Sequence, residues 1–190
     1  VKNNFVLEIG PGPGCLTRSI INNGAKKIIA VEKDKKSIMA LKYQKNIFSN
    51  KLLLIEGDFL KEKIFKKVKK EILKSNIKIF VISNLPYNIA IPILSKLLSH
   101  RRLFDKLLLM FQEEQAKRII AKKKTKDYGR ISVLSQWLCD IKKKINLSPN
   151  CFYPKPKVNS SILLFKFKKK IKFVKDENCF IEIVKKSFNQ

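Results

Sequence analysis

The stretch that most constrains the fold is Phe5-Val6-Leu7-Glu8-Ile9, which runs straight into Gly10-Pro11-Gly12-Pro13-Gly14. A short apolar run closed by glycines and prolines reads as a buried strand that must turn sharply, after which Leu16, Ile20 and Ile21 recur at helical spacing. Strand, glycine turn and helix make the opening unit of an open α/β sheet, in which residues without a Cβ let a ligand approach the backbone. A dinucleotide-type Gly-x-Gly-x-x-Gly places its third glycine where this chain has Cys15; here the third glycine is Gly14. That spacing disfavours a nicotinamide dinucleotide and suits a ligand without a pyrophosphate.

Lys27 to Val31, Leu52 to Ile55 and Ile77 to Ile82 are the next expected strands, and Leu107 to Phe111, Ile141 to Leu147 and Ser160 to Phe167 complete seven. Helices are expected over Ile91 to Leu98, Glu113 to Ala121 and Ile131 to Cys139, the last a core helix containing the lone Trp137. Three successive strands end in an acid or amide. Glu32 at the second can accept hydrogen bonds from both hydroxyls of a ribose. Asp58 after the third can accept from an adenine amino group, with Phe59 beside the ring. In an open α/β sheet all of these face one crevice at the carboxyl ends of the strands.

The fourth run is closed by Asn84-Leu85-Pro86-Tyr87. A proline stops the strand, so the tetrapeptide is expected just outside its end. An exocyclic amino group on a base is a poor nucleophile because its lone pair is delocalised into the ring. Asn84 Oδ1 and the carbonyl of Leu85 suit acceptance of its two N–H bonds, Pro86 stiffens the turn, and Tyr87 offers a face for an unstacked base. Asn takes up no proton, so such a site works by positioning and electrostatics. A plain structural turn, with Asn capping and Tyr packing, is the alternative reading of the same four residues.

Charge narrows the partner. Forty-two Lys and Arg against 15 Asp and Glu give a net charge of +27 over 190 residues, which points to a polyanion, nucleic acid before an anionic membrane surface. Lys122, Lys123, Lys124, Lys126 and Arg130 flank Tyr128 and Gly129 in a basic loop suited to phosphates. Pro149 to Lys157 is a stiff loop that carries Phe152, Tyr153, Lys155 and Lys157, aromatic and cationic groups suited to stacking a base and gripping its backbone. The four cysteines are scattered and there is one histidine, His100, so no zinc knuckle and no two-histidine site is expected. His100 reads as a helix-end or surface residue. No metal is expected, and scattered thiols suit a reducing compartment.

Together these motifs resemble the KsgA-type family of ribosomal RNA adenine dimethyltransferases over nearly the whole chain. Leu7-Glu8-Ile9-Gly10-Pro11-Gly12-Pro13-Gly14 with Leu16-Thr17 is similar to the family's S-adenosylmethionine loop, Val31-Glu32-Lys33-Asp34 to its ribose-binding segment, and Gly57-Asp58 to its adenine-binding acid. Asn84 to Tyr87 resembles the catalytic tetrapeptide, and Phe152-x-Pro-x-Pro-Lys157-Val158 the late loop whose Phe sandwiches the target base. The resemblance implies a class I methyltransferase fold with a seven-stranded, mostly parallel sheet. It implies S-adenosylmethionine as cofactor, held by Glu8, Gly10, Gly12, Gly14, Glu32, Lys33, Asp58, Phe59 and Asn84. It implies dimethylation of adenine N6 near the 3′ end of small-subunit rRNA, on rRNA or an assembling particle, by a cytoplasmic or organellar monomer.

Residues 1–168 are expected as the catalytic domain and 169–190 as the start of a helical second domain. Beginning at Val1, almost directly on a strand, the chain reads as a fragment or processed product that lacks the family's first segment. The alternatives are an Erm-type methyltransferase of large-subunit rRNA and a non-catalytic, transcription-factor-like relative. Gln112-Glu113 and Tyr128 to Leu134 resemble the KsgA type more than the Erm type.

Overall fold

The computed structural model describes residues 1–45, 49–171 and 174–188. Its seven strands are β1 (Phe5–Ile9), β2 (Lys27–Glu32), β3 (Leu52–Glu56), β4 (Ile79–Asn84), β5 (Phe104–Gln112), β6 (Cys139–Leu147) and β7 (Ser160–Phe167). They form a mixed sheet in the order β3-β2-β1-β4-β5-β7-β6. The first five pair in parallel, whereas β6 and β7 are antiparallel. This is the α/β class expected from the sequence. The chain divides into two compact units, Val1–Met110 and Phe111–Gln190.

In the first unit the strands are nearly continuous apolar runs because both faces of a parallel sheet are covered. Val6, Ile28, Ala30, Phe80 and Ile82 bury against Ile20, Ile21 and Ala25. Each large side chain taken out of water contributes roughly 1.5–3 kcal/mol. Helix α1 (Cys15–Asn22) starts at Gly14, whose φ of 93° is left-handed. The next two helices, α2 (Lys35–Lys45) and α3 (Glu62–Lys74), were not anticipated; α3 buries Phe65, Val68 and Ile72 at helical spacing within a lysine-rich sequence. The helix α4 (Ala90–Ser99) buries Ala90, Ile93, Leu94, Leu97 and Leu98 and tolerates Pro92 because it lies in the first turn. His100 follows α4, with its Nδ1 3.0 Å from the carbonyl of Lys96 and its ring 4.4 Å from that of Phe65.

Several strand boundaries differ from expectation: β5 starts at Phe104 rather than Leu107, β6 at Cys139 rather than Ile141, β2 and β3 each run one residue further, and β4 shifts at both ends. β4 begins at Ile79, not Ile77, because Asn76 is left-handed (φ 50°), Ile77 is exposed, and pairing with β5 starts at Ile79 opposite Phe104. The same register carries β4 through Asn84, opposite Met110, so Asn84 is the last residue of the strand and the turn proper starts at Leu85.

The second unit holds α5 (Glu113–Ile120), α6 (Arg130–Leu138) and α7 (Glu177–Ser187) with the β6–β7 pair. α6 turns Ser132, Ser135 and Leu138 inward, while Trp137 is half-buried with its ring 4.7 Å from Phe180. The two serines and Leu138, not the tryptophan, form its buried face. Asp176 caps α7 by accepting from the amides of Asn178 and Cys179 at 2.7 and 3.1 Å. No helix among the described residues is long and apolar enough to cross a membrane.

Candidate active site

The carboxyl ends of β1 to β4 converge on one cleft in the first unit. Ile9, Gly10, Val31, Glu32, Lys33, Gly57, Asp58, Phe59, Pro86, Ile89 and Ile93 line it. Six sequence-expected site residues (Gly10, Glu32, Lys33, Asp58, Phe59 and Pro86) therefore share a wall.

Glu32 does two jobs. Its Oε1 accepts from the amides of Lys33 and Asp34 at 2.7 and 2.9 Å, and its Oε2 from the amide of Gly12 at 3.0 Å. Three of about four acceptor directions of the carboxylate are thus occupied by backbone, so less remains for a ligand than two ribose hydroxyls require. The glycine turn is tied down further by Gly10 N, which donates to Val31 O at 2.9 Å. Gly10 and Gly12 both have positive φ, 68° and 56°, and a Cβ at Gly12 would meet nothing within 4 Å. Glycine is therefore required at Gly12 by backbone conformation, and the space above it is open.

Asp58 accepts from Leu60 N through Oδ1 at 2.9 Å; among the described residues Oδ2 accepts no hydrogen bond. Phe59 is buried, edge-on to Phe65 at 5.5 Å. The Gly57 amide donates to Glu32 O at 2.7 Å, joining the ends of β2 and β3. An acceptor, a ring and open backbone on one wall fit an adenosine-bearing ligand.

Beneath the turn, Glu8 is 1% exposed. Its Oε2 accepts from Thr17 Oγ1 at 2.7 Å, and its Oε1 is buried without a partner among the described residues. Burial pushes its carboxyl up to about 7, opposed by the Thr17 hydrogen bond and reinforced by Glu32.

The tetrapeptide leaves β4 with Asn84 exposed, Leu85 buried, Pro86 exposed and Tyr87 half-buried in a short 3₁₀ turn. Pro86 seats against the glycine turn, where a Cβ on Gly10 would lie 3.4 Å from its Cδ. Ser83 Oγ donates to the carbonyl of Ile9 and so ties the end of β4 to the end of β1. Neither that contact nor the bond from Thr17 to Glu8 was found from sequence; a buried serine or threonine beside a motif is the signal that was available. Asn84, Leu85 and Tyr87 do not line the cleft, nor do Glu8, Gly12 and Gly14.

The remaining expected residues lie in the second unit. Phe152 is half-buried, whereas Tyr153, Lys155 and Lys157 are exposed. The loop is shaped by Ser148, whose Oγ accepts from Asn150 N at 3.1 Å, and its far end is clamped by Glu113. Glu113 N donates to Asn159 O at 2.9 Å and Asn159 Nδ2 donates to Glu113 Oε2 at 3.2 Å. The Asn159 and Lys117 contacts hold the Glu113 carboxyl below its ordinary range. Lys122, Lys123, Lys124 and Lys126 are exposed between α5 and α6, and Arg130 is exposed at the start of α6. Tyr128 turns instead toward Phe188, with ring centroids 6.3 Å apart. Gln136 Nε2 donates to Ile119 O and Ala121 O, at 3.0 and 2.9 Å, and so fixes the base of this basic loop. Among the described residues no group of acids, thiols and imidazole has the arrangement to hold a metal ion.

The family described as ribosomal RNA adenine dimethylase matches residues 1–190. The chain belongs to that family. The dimethylase-family relatives include ribosomal RNA small subunit methyltransferase A of Wolbachia pipientis wMel, 38% identical over 190 residues, covering 100% of this chain and 64% of that protein. The same-named protein of Clostridium acetobutylicum is 38% identical over 189 residues, covering 99% of this chain and 66% of that protein. The chain thus spans about two thirds of the length of these relatives. Among solved structures, a dimethyladenosine transferase from Plasmodium falciparum superposes with a TM-score of 0.82 at 30% identity, over 100% of this chain and 65% of that one. The 23S rRNA methyltransferase ErmE gives 0.68 at 22% identity, over 95% of this chain and 67% of that one, a likeness of fold alone.

Proposed function

We propose that this dimethylase-family chain is the catalytic part of an enzyme that transfers two methyl groups, one at a time, to the N6 amino group of adjacent adenines near the 3′ end of small-subunit rRNA. S-adenosylmethionine supplies the methyl group. The observation that carries the reading is the shared cleft wall of Gly10, Glu32, Asp58, Phe59 and Pro86 at the carboxyl ends of four parallel strands. Glu32 accepts from ribose with its remaining acceptor direction, Asp58 Oδ2 accepts from the cofactor's adenine amino group, and Phe59 supports the ring. Lys33 stands at the mouth. Gly10, Gly12 and Gly14 keep the backbone close to the amino-acid end of the cofactor.

Asn84 Oδ1 and the Leu85 carbonyl accept from the target amino group and hold its nitrogen lone pair toward the methyl donor. Neither takes the proton, which leaves to solvent. Pro86 fixes this segment against the glycine turn, and Tyr87 and Phe152 offer faces to the target base. Lys122, Lys123, Lys124, Lys126, Arg130, Lys155 and Lys157 contact rRNA phosphates, free or in an assembling particle. We place the catalytic domain at residues 1–168, the start of a helical domain at 169–190, and the protein as a monomer in a bacterial-type cytoplasm or an organelle. The 38% identical relatives named for the small subunit favour that substrate over large-subunit rRNA.

The test is transfer of labelled methyl from S-adenosylmethionine to unmethylated small ribosomal subunits, with the product nucleoside identified. Dimethyladenosine in small-subunit rRNA is expected. RNA binding without transfer would replace the reading with a binding protein.

A further inference from the structure

Glu8 is the one acid of the site that the proposed chemistry leaves without a task. It sits on β1, under the glycine turn, 1% exposed, with one oxygen satisfied by Thr17 and the other buried with no partner among the described residues. A carboxylate has about four acceptor directions, and an ionised one left half-satisfied in the interior is costly. The elements around it offer little countercharge. β4 contributes no charged residue over Ile79–Asn84, β2 brings Glu32 to this end and Lys27 to the other, and α1 contributes only the exposed Arg18. Glu32 is a second acid, held in place by the amides of Gly12, Lys33 and Asp34. A buried, half-satisfied acid beneath the glycine turn and a second acid on the cleft wall make a place that accepts either a proton or a cation and is costly with neither.

We propose that Glu8 is a specificity-determining residue for the charge of the ligand: it releases its proton when a cationic ligand fills the cleft, and so favours S-adenosylmethionine over the thioether left after methyl transfer. The inference rests on the cleft being the cofactor site proposed above. S-adenosylmethionine carries a sulfonium in addition to its amino and carboxylate groups; S-adenosylhomocysteine lacks that one positive charge and is otherwise alike. With the sulfonium present, ionised Glu8 gains a favourable partner across the glycine turn. Once the methyl is gone that partner is lost, Glu8 regains a proton, and the spent ligand is held less tightly.

The direction with pH follows. The Glu8 carboxyl stands at about 7 in the free protein. Binding that requires its ionised form weakens as pH falls below 7, by up to roughly tenfold per pH unit, and levels off above about pH 8.

The experiment is isothermal titration calorimetry of the protein with S-adenosylmethionine and, separately, S-adenosylhomocysteine, at pH 6, 7 and 8.5, in buffers of different ionisation enthalpy. The dependence of heat on buffer counts protons released per ligand bound. S-adenosylmethionine is expected to release about half a proton at pH 7, more at pH 6 and almost none at pH 8.5, with a smaller release for S-adenosylhomocysteine throughout. The amino group common to the two ligands cancels in the comparison. Glu8→Gln is expected to bind S-adenosylmethionine with the excess release gone. Equal release for both ligands, or an excess that survives in a folded Glu8→Gln protein, overturns the proposal. Where that variant does not fold, the two-ligand comparison on the unaltered protein decides alone. Absence of binding by either ligand at every pH would instead overturn the functional reading of the cleft.

Discussion

The amide of Gly12 donates to Oε2 of Glu32 at 3.0 Å, across twenty residues of sequence. The acid at the end of β2 therefore shapes the glycine turn at the end of β1 while lining the cleft beside it. Glu32→Gln keeps one acceptor and replaces the other with a donor facing a donor. A hydrogen bond to a charged group is worth about 1.5–3 kcal/mol, so S-adenosylmethionine affinity should fall roughly 10- to 100-fold. Calorimetry on the folded variant checks this; a change below threefold would mean Glu32 serves only to align the turn.

Gly10 lies at φ 68° with Pro86 Cδ 3.4 Å from where a Cβ would stand. Gly10→Ala combines left-handed backbone, costing about 1–2 kcal/mol, with pressure on the segment that carries Asn84 and Leu85. The expected result is a lower melting temperature together with a fall in methyl-transfer rate larger than the fall in cofactor affinity. Equal losses in rate and affinity would show that Pro86 does not transmit the change.

Asn84 is exposed at the end of β4 and does not line the cofactor cleft. Asn84→Ala should leave S-adenosylmethionine affinity within about twofold and abolish transfer, at least 100-fold, if its Oδ1 accepts from the target amino group as proposed. Single-turnover transfer measured beside cofactor binding separates the two effects.

Lys155 and Lys157 are exposed on the loop that also carries Phe152. Replacing both with Gln should weaken rRNA binding and lower the slope of log K against log salt by about 1.4–1.8, at roughly 0.7–0.9 per phosphate contact. A salt titration of binding reads this directly. An unchanged slope would remove the loop from the phosphate interface.

Burial of Glu8 also bears on stability. Its folded-state carboxyl, at about 7, lies above the ordinary 4.5, so between those values the unfolded chain is ionised while the folded one holds its proton. The folded state binds more protons, so stability declines as pH rises from about 4.5 to 7, by an amount on the order of 3 kcal/mol in all. In Glu8→Gln this contribution to the slope should vanish. Denaturant midpoints of both proteins across that pH range give the comparison.

Most of the first unit was legible because its strands are short apolar runs punctuated by Gly10 to Gly14, Glu32, Gly57-Asp58 and Pro86, and each punctuation mark has a backbone reason. The strand ends were not. Whether β4 stops at Ile82 or Asn84 depends on where β5 offers partners, a tertiary fact that Ile77 to Ile82 alone does not encode. Helix α3 was missed because Phe65, Val68 and Ile72 are diluted by six lysines between Glu62 and Lys74. The cleft residues could be named from type and spacing, but the supports could not: Thr17 under Glu8, Ser83 on Ile9 and Asn159 on Glu113 are ordinary polar residues until the chain folds. Trp137 marked a helix that does bury one face, but the buried positions are Ser132, Ser135 and Leu138, which the sequence did not single out.

β6 is the terminal strand of the sheet order, so one side of its backbone is left open to pairing. Lys142, Lys143 and Lys144 stand exposed along it, and its register with β7 shifts between Lys143 and Ile145. Two copies brought edge to edge would set like charges opposite one another across a broken ladder. The lysines that make this chain strongly cationic also keep its sheets from adding to one another, so a concentrated solution of the protein without nucleic acid should resist fibril growth until those charges are screened or neutralised.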